Sequence, residues 1–477
     1  MNYDTVIGLE VHLHLKTLTK AFCGCSTEFG NEPNSQVCPV CLGFPGSLPV
    51  LNETMLDYAI KVAVALNCKV QEFTKFDRKN YFYPDLPKDY QISQYDLPLS
   101  KEGFIDIAVG GKSKRIGITR VHMEEDAGKL IHEEESSLVD FNRSGMPLLE
   151  IVSEPDISSP EEAYAYLTNL KGILEYLEVS DCDMEKGSLR CDANISLKAK
   201  GETKLGTKTE LKNMNSFKAV KDALIFEAER QAEALGNGEV IIQETRLWDE
   251  KLNKSVSMRT KEEAKDYRYF PEPDLTPFII TVDKVEKITK TIPELPYKKL
   301  RRFIDSYGLS EYDALILVIS KKGADFAEEC IKLYPGDNKK MLVNWLIGPL
   351  LAEANLREVE IQELGILPRD LIDLLGYVER QEISNLSAKM VLTEMLNSGK
   401  GAKLIIKEKN LAQISNMEAL SEIMESVIKE NGKSLADYKS GKENALMFLV
   451  GQIMKRSQGK ANPKIVQDML KRRLANA

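Results

Sequence analysis

Residues 9–15, LEVHLHL, alternate without a break: Leu9, Val11, Leu13 and Leu15 fall on one face, and Glu10, His12 and His14 on the other. A period of two belongs to a strand whose two faces meet different surroundings, one apolar and one polar. SLRCDANISL (188–197) repeats the pattern, with Leu189, Cys191, Ala193, Ile195 and Leu197 opposing Ser188, Arg190, Asp192, Asn194 and Ser196. RIGITRVHMEED (115–126) is a third candidate strand and closes on Glu124, Glu125 and Asp126. Helical patterns intervene. SPEEAYAYLTNLKGILEYL (159–177) opens with Ser159 as a candidate N-cap and Pro160 at the first helical position. SFKAVKDALIFEAERQAEAL (216–235) is amphipathic and stops at Gly236. Residues 1–292 therefore predict an α+β domain.

The pattern changes at TIPELPYKKLRRF (291–303), where Pro293 and Pro296 force extended backbone before them and a basic run opens a helical segment. Residues 293–404 read as an all-α domain, with segments such as 340–354 and 369–381. Residues 405–477 read as a smaller helical tail, ending in NPKIVQDMLKRRL (462–474) with Asn462 as cap. Three domains suit a chain of 477 residues. Apolar runs fall far short of the roughly 18 residues a membrane span needs, and the N-terminus lacks a basic start followed by an apolar core. A cytoplasmic protein without a membrane partner is expected. The net charge is −9, from 64 Lys and Arg against 73 Asp and Glu, which on average argues against a nucleic-acid binder.

Seven of the eight cysteines precede residue 192, and four form C-x-C-x12-C-x2-C: Cys23, Cys25, Cys38 and Cys41. Two close pairs joined by a short loop suit a filled tetrahedral zinc shell, hence a structural site; four unconnected thiols are the alternative. Cys68, Cys182, Cys191 and Cys330 are isolated and read as small core residues.

Glu10 and His12 share a face, Glu124, Glu125 and Asp126 end another strand, Glu150 closes DFNRSGMPLLE, and Asp192 lies mid-strand. Such a set suits Mg²⁺ or Mn²⁺, which favour oxygen ligands, or else forms a solvated sheet face. Arg78, Lys79, Lys88, Arg120, Arg143, Arg190, Lys208, Lys212, Arg246 and Arg259 accompany it. Carboxylates with cations fit a site that handles Mg-nucleotide phosphates. No Walker A loop serves one: before the GKS at 111–113, the position of the first glycine is Asp106. Neither a GxSxG elbow nor an amidase-type Gly/Ser stretch is present, so the chain has no obvious nucleophile for glutamine hydrolysis.

VDFNRSGMPLLEIVSEPD (139–156) closely resembles the signature of the B-subunit family of bacterial aspartyl/glutamyl-tRNA amidotransferases (GatB). So do IGLEVHLHL, RKNYFYPDLPKDYQISQYDLPL (78–99), HMEEDAGKL (122–130), GSLRCDANISL (187–197), TELKNMNSFKAV (209–220), QETRLWD (243–249) and YRYFPEPDL (267–275). The resemblance runs end to end. It implies a catalytic domain with a glutamine-synthetase-like antiparallel sheet, followed by a helical domain and a YqeY-like tail. It also implies a reaction: ATP phosphorylates the side-chain carboxylate of Glu-tRNA(Gln) or Asp-tRNA(Asn), and ammonia then displaces phosphate. The ammonia comes from glutamine hydrolysed in an A subunit, and a small C subunit completes a heterotrimer. On this resemblance the magnesium shell is Glu10, His12, Glu124 and Glu125, with Glu150 and Asp192 added. Lys79 and Lys88 fall in the motif that resembles the region where ammonia arrives, to orient or shuttle protons there, or else form surface ion pairs. Glu10, His12, Glu125, Lys79 and Lys88 are thus the expected catalytic group. Arg143, Arg190, Asp192, Lys208, Arg246 and Arg259 are expected to bind nucleotide or substrate, although Arg143 in FNRSG reads equally as holding a turn. His14 is expected to support, and His122 and His132 to be ordinary.

Residues 456–477 hold six basic residues, Arg456, Lys460, Lys464, Lys471, Arg472 and Arg473, against a single Asp468. With Lys455 they form a candidate tRNA footprint, or else a solvated basic helix. The competing reading of the whole chain is a non-catalytic, zinc-containing tRNA-binding scaffold.

Overall fold

The computed structural model describes residues 3–133, 135–260, 266–336, 339–411, 417–439, 442, 444–457, 461 and 463–475. Its chain divides into two compact units, Met1–Leu295 and Pro296–Ala477. The division falls at Pro296, where the helix Pro296–Tyr307 begins.

The first unit is built on a nine-stranded sheet. Its strands are β1 (Tyr3–His14), β2 (Lys69–Val70), β3 (Ser100–Val109), β4 (Lys112–Glu125), β5 (Pro147–Ser153), β6 (Leu189–Ala199), β7 (Thr209–Lys212), β8 (Glu244–Asp249) and β9 (Lys254–Thr260). The spatial order is β9-β8-β7-β6-β1-β5-β4-β3-β2. Every neighbouring pair is antiparallel except β7 and β8, which run parallel. That one parallel pair requires a crossover, and helix α3 (Phe217–Gly236) supplies it. The resulting α+β layout, a largely antiparallel sheet with helices, followed by helical domains, is the coarse architecture expected from the strand and helix patterns.

The expected faces are realised. Leu9, Val11 and Leu13 of β1, and Leu189, Cys191, Ala193 and Ile195 of β6, are buried in one core with apolar residues of α1 (Glu53–Ala65), α2 (Pro160–Leu177) and α3. One covered face and one polar face produce the alternation seen in the sequence. The caps work as the residues suggest: Ser159 accepts from the Glu162 amide at 3.2 Å, with Pro160 opening α2, and Ser216 accepts from the Ala219 amide at 3.0 Å. Each such cap is worth about 1 kcal/mol.

Among the described residues, the second unit holds two hydrophobic cores, one running from Phe303 to Ile406 and the other from Leu420 to Leu474. The helix Ala402–Glu408 crosses the expected boundary at 404/405, and Ile405 and Ile406 are buried in the first of these cores. The expected single helix at 340–354 is interrupted by a π-helical turn, Leu346–Leu350, containing Pro349. Proline has no N–H to donate to the preceding turn, and the turn widens there. Asn462 lies outside the described residues. Among the described residues, no helix is long and apolar enough to cross a membrane.

Candidate active site

Register brings the polar residues together. In the central ladder, His12 lies opposite Glu150 on β5 and Arg190 on β6, Glu10 opposite Asp192, and Glu150 opposite His122 on β4. Opposed residues share a face, so four strands contribute to one polar patch. His12 Nε2 lies 3.5 Å from Glu10 Oε1 and 3.6 Å from Glu150 Oε2. Glu10, His12 and Glu150 each offer a ligand atom within 4.8 Å of the others. His12 and Glu10 remain partly open, with side chains 17% and 36% exposed, so an ion or phosphate can enter.

The two carboxylates beside His12 are pushed in opposite directions. Burial, then the charge of Glu150, raises Glu10 above the ordinary carboxylate range. Burial opposes ionisation of Glu150 as well, but the imidazoles of His122 and His12 and then Lys79 more than offset it, and its pKa is depressed. His12 is raised, burial being outweighed by its bond to Glu150 and the surrounding carboxylates. Carboxylates pushed apart by their surroundings are a pattern that acid–base sites use and that structural ion-pair networks share.

A second group, His122, Glu124 and Glu150, shares Glu150 with the first and is buried throughout. Arg120 Nε donates to His122 Nδ1 at 3.3 Å, and His122 Nε2 faces Glu124 at 3.7 Å and Glu150 at 3.6 Å. Glu124 also accepts from Ser93 Oγ at 2.6 Å and from Gln91, and Lys79 Nζ stands 3.8 Å away. Burial raises Glu124, yet Lys79 and His122 together outweigh it and its pKa falls. His122, expected to be ordinary, is thus part of the site. Its spacing of two from Arg120 and Glu124 is the signal that identifies it.

Glu125 is not brought to this face. Adjacent residues on a strand point to opposite sides, and Glu125 instead pairs with Lys88 and accepts from the Ile92 amide at 2.9 Å. The expected Glu124–Glu125 ligand pair is therefore split, and Lys79 and Lys88 are divided between its two members. Asp192 is held by Lys212 rather than by the histidine group.

Next to the patch, Asp126 gathers His14 Nε2 at 2.6 Å, Arg190 at 2.8 Å and Arg143 at 3.5 Å. Burial works against its charge, but Arg190, then His14 and Arg143, hold it well below the usual carboxylate range. Arg143 also donates to the carbonyls of Ala127 at 3.0 Å and Gly128 at 2.5 Å, so it braces the turn as well as Asp126. A cleft of about 460 Å³ opens beside this node, lined by His14, Lys16, Thr27, Met146, Asp181 and Ser188.

Arg246 is elsewhere. It lies opposite Leu211, whose side chain belongs to the helix-covered core, and bonds Glu244 at 2.7 Å and Ser255 at 2.7 Å with Glu227 of α3 at 3.5 Å. The structure uses it to pin α3 to the sheet. Lys208 is exposed in the loop before β7. The Arg259 and Lys464 side chains, and Lys460 altogether, lie outside the described residues. Lys455, Arg456, Lys471, Arg472 and Arg473 are exposed on the last two helices, with Arg456 paired to Glu430 and Arg473 to Glu425, both at 2.8 Å.

The four loop cysteines converge. Cys23, Cys25, Cys38 and Cys41 place their sulfurs within 4.8 Å of one another, and all are free thiols. The Cys38–Cys41 separation is 3.9 Å, close to the edge of about 3.8 Å that a tetrahedron with 2.3 Å zinc–sulfur bonds requires. The hydrogen bond with Cys23 lowers Cys41 to about 4, against burial and with help from the Cys38 amide and Lys20, while the same bond and burial raise Cys23. Four converging sulfurs at this spacing, one of them already held toward thiolate, fit a divalent metal with thiolate ligands such as zinc.

A sheet with a carboxylate–histidine patch and a four-cysteine loop is the class of domain matched here: residues 5–286 fit the family model described as the GatB/GatE catalytic domain, and residues 325–474 fit the GatB domain. Three relatives are named as the B subunit of aspartyl/glutamyl-tRNA(Asn/Gln) amidotransferase. That of Thermoanaerobacter sp. (strain X514) is 56% identical over 476 residues, covering 100% of both chains. That of Caldanaerobacter subterraneus subsp. tengcongensis is 57% identical over 476 residues, again 100% of each. That of Persephonella marina is 52% identical over 470 residues, 98% of this chain and 99% of the other. The chain belongs to the B-subunit family of the aspartyl/glutamyl-tRNA(Asn/Gln) amidotransferases.

Proposed function

We propose that this protein activates the side-chain carboxylate of Glu-tRNA(Gln) or Asp-tRNA(Asn) with ATP and directs ammonia onto it, giving Gln-tRNA(Gln) or Asn-tRNA(Asn). The observation that carries this reading is the Glu10–His12–Glu150 group on the polar face, whose carboxylates are pushed apart and flanked by Lys79. A carboxylate is a poor electrophile, because its charge repels nucleophiles. Its oxygen attacks the γ-phosphorus, the bond to ADP breaks, and an acyl phosphate forms. Ammonia then adds to the acyl carbon and inorganic phosphate leaves, with loss of a proton.

The first step brings anions together, so cations must offset them. Magnesium, or manganese, held by Glu10, His12 and Glu150 would supply that neutralisation. Lys79, Arg190 and Lys212 supply fixed positive charge around the same face. The glutamine-synthetase-like character of the sheet belongs to this reading. So does a structural zinc at the four cysteines, which stabilises a loop otherwise too polar to pack. Ammonia comes from a partner A subunit with glutaminase activity, a C subunit completes the heterotrimer, and the basic tail holds tRNA.

The test is reconstitution with A and C subunits, supplying Glu-tRNA(Gln), ATP and either glutamine or ammonium, and assaying Gln-tRNA. Amidation that requires ATP and is abolished by Glu150→Gln, with glutaminase activity retained, supports the reading. Full amidation by Glu150→Gln would leave this chain as a scaffold only.

A further inference from the structure

Lys20 has no exposed surface at all. Its ammonium lies 3.7 Å from Cys41 Sγ and donates to the Phe141 carbonyl at 3.2 Å. Among the described residues, no carboxylate forms an ion pair with it. A buried ammonium is costly unless an anion faces it, and here the anion at hand is a cysteine sulfur. Four thiolates around a divalent metal carry a net charge of 2−, which is likewise costly next to a closed core. Each charge answers the other.

The same lysine ties the cysteine loop to the reactive face. Ser144 Oγ donates to the Cys41 carbonyl at 3.4 Å, and the Asn142 side chain joins Glu32 and Gln36 of the loop at 2.7 and 2.8 Å. From the turn so gripped, Arg143 reaches Asp126, and the Gly145 amide donates to the Asp126 carbonyl at 2.9 Å. Gly145 itself sits where a Cβ would meet Cys41 Cβ at 3.4 Å and Lys20 Cδ at 3.5 Å.

We propose that Lys20 is the buried counter-cation of the four-thiolate site and that, through the Phe141 carbonyl, it makes the seating of residues 141–145 against Asp126 depend on the metal being held. Lys20 is a positioning residue on this account. The inference rests on the zinc reading of the cysteines, and the test separates the two.

The full-length chain is purified as wild type, Lys20→Met and Lys20→Arg, and zinc is competed with a chromogenic chelator. The wild type should carry stoichiometric zinc, and Lys20→Met should bind it about 10–100-fold more weakly, as outer-shell substitutions do. Lys20→Arg should stay near the wild type. In cobalt-substituted protein, the thiolate-to-cobalt charge-transfer band should move to longer wavelength in Lys20→Met, because the thiolates lose a neighbouring positive charge. Equal zinc retention and an unmoved band would overturn the role of Lys20 while leaving the zinc site standing. A wild type without zinc would remove both. Should Lys20→Met fail to fold, hydrogen exchange on the wild type still decides. Stripping zinc should speed exchange of the Ser144, Gly145 and Met146 amides at least about 10-fold and leave the β3–β4 ladder unchanged; unaltered protection at those three amides overturns the proposal.

Discussion

Glu150 faces two histidines from neighbouring strands and is held ionised in a buried place by their imidazoles and Lys79. Glutamine there keeps the shape and removes the charge. We expect Glu150→Gln to lower kcat/KM for ATP-dependent amidation by about 10²–10³-fold, the usual scale for losing one preorganised electrostatic group, with the fold retained by circular dichroism. Asp126 answers a different question, because its depressed pKa is a statement about stability. A carboxylate lowered by folding contributes fully above its unfolded value of about 3.9, and the contribution is lost as pH falls toward the folded value. Asp126→Asn should therefore cost about 3 kcal/mol at pH 7, by leaving Arg190 and His14 without their anion. The gap to the wild type should shrink below about pH 4. Thermal unfolding of both proteins across pH 3–7 measures this; a gap constant with pH would reject Asp126 as the titrating group.

At the scale of elements, the cysteine loop, the 141–145 turn and the end of β4 share one crowded point, Gly145. Its φ of +83° lies in the left-handed region, and added bulk there meets Cys41 and Lys20. Gly145→Ala should destabilise by about 1–2 kcal/mol, read as a lower urea midpoint with unchanged m-value. The strands that carry the site are legible because period two is a local signal: β1, β4 and β6 lie where LEVHLHL, RIGITRVHMEED and SLRCDANISL place them. The same period separates Glu124 from Glu125, and pairing them as ligands lets a motif override the geometry of the strand. Arg246 is not legible, since its face depends on the lone parallel pairing of β7 with β8, a tertiary register that residue alternation does not reveal. His122 is legible in its spacing from Arg120 and Glu124, although a lone histidine reads as ordinary. Lys20 carries no signal, because nothing in the sequence announces that a lysine will be enclosed.

Across the whole molecule, a net charge of −9 averages two opposite local fields, carboxylates clustered on the sheet and cations on the last helices. The tail cations are not equivalent. Arg456 and Arg473 already face Glu430 and Glu425, and exposed pairs of that kind contribute little to stability yet offset the charge a phosphate would meet. Lys471 and Arg472 are exposed on the same helix, Pro463–Ala475, one turn from its end. If this helix meets tRNA phosphates, each contact releases condensed counterions, and reversing two charges should reduce the slope of log K against log salt by about 1.4–1.8. Lys471→Glu with Arg472→Glu should therefore weaken tRNA binding most at low salt and converge on the wild type as salt rises. ATP affinity should stay unchanged, because the carboxylate–histidine group lies in the other compact unit. Arg473→Glu should behave differently: it places two acids together at Glu425, so part of its effect will appear as lower thermal stability of the tail without RNA. Filter binding of tRNA over a salt series, beside calorimetry with ATP, measures both. A parallel offset at every salt concentration, with no change of slope, would mean that Lys471 and Arg472 do not touch phosphate.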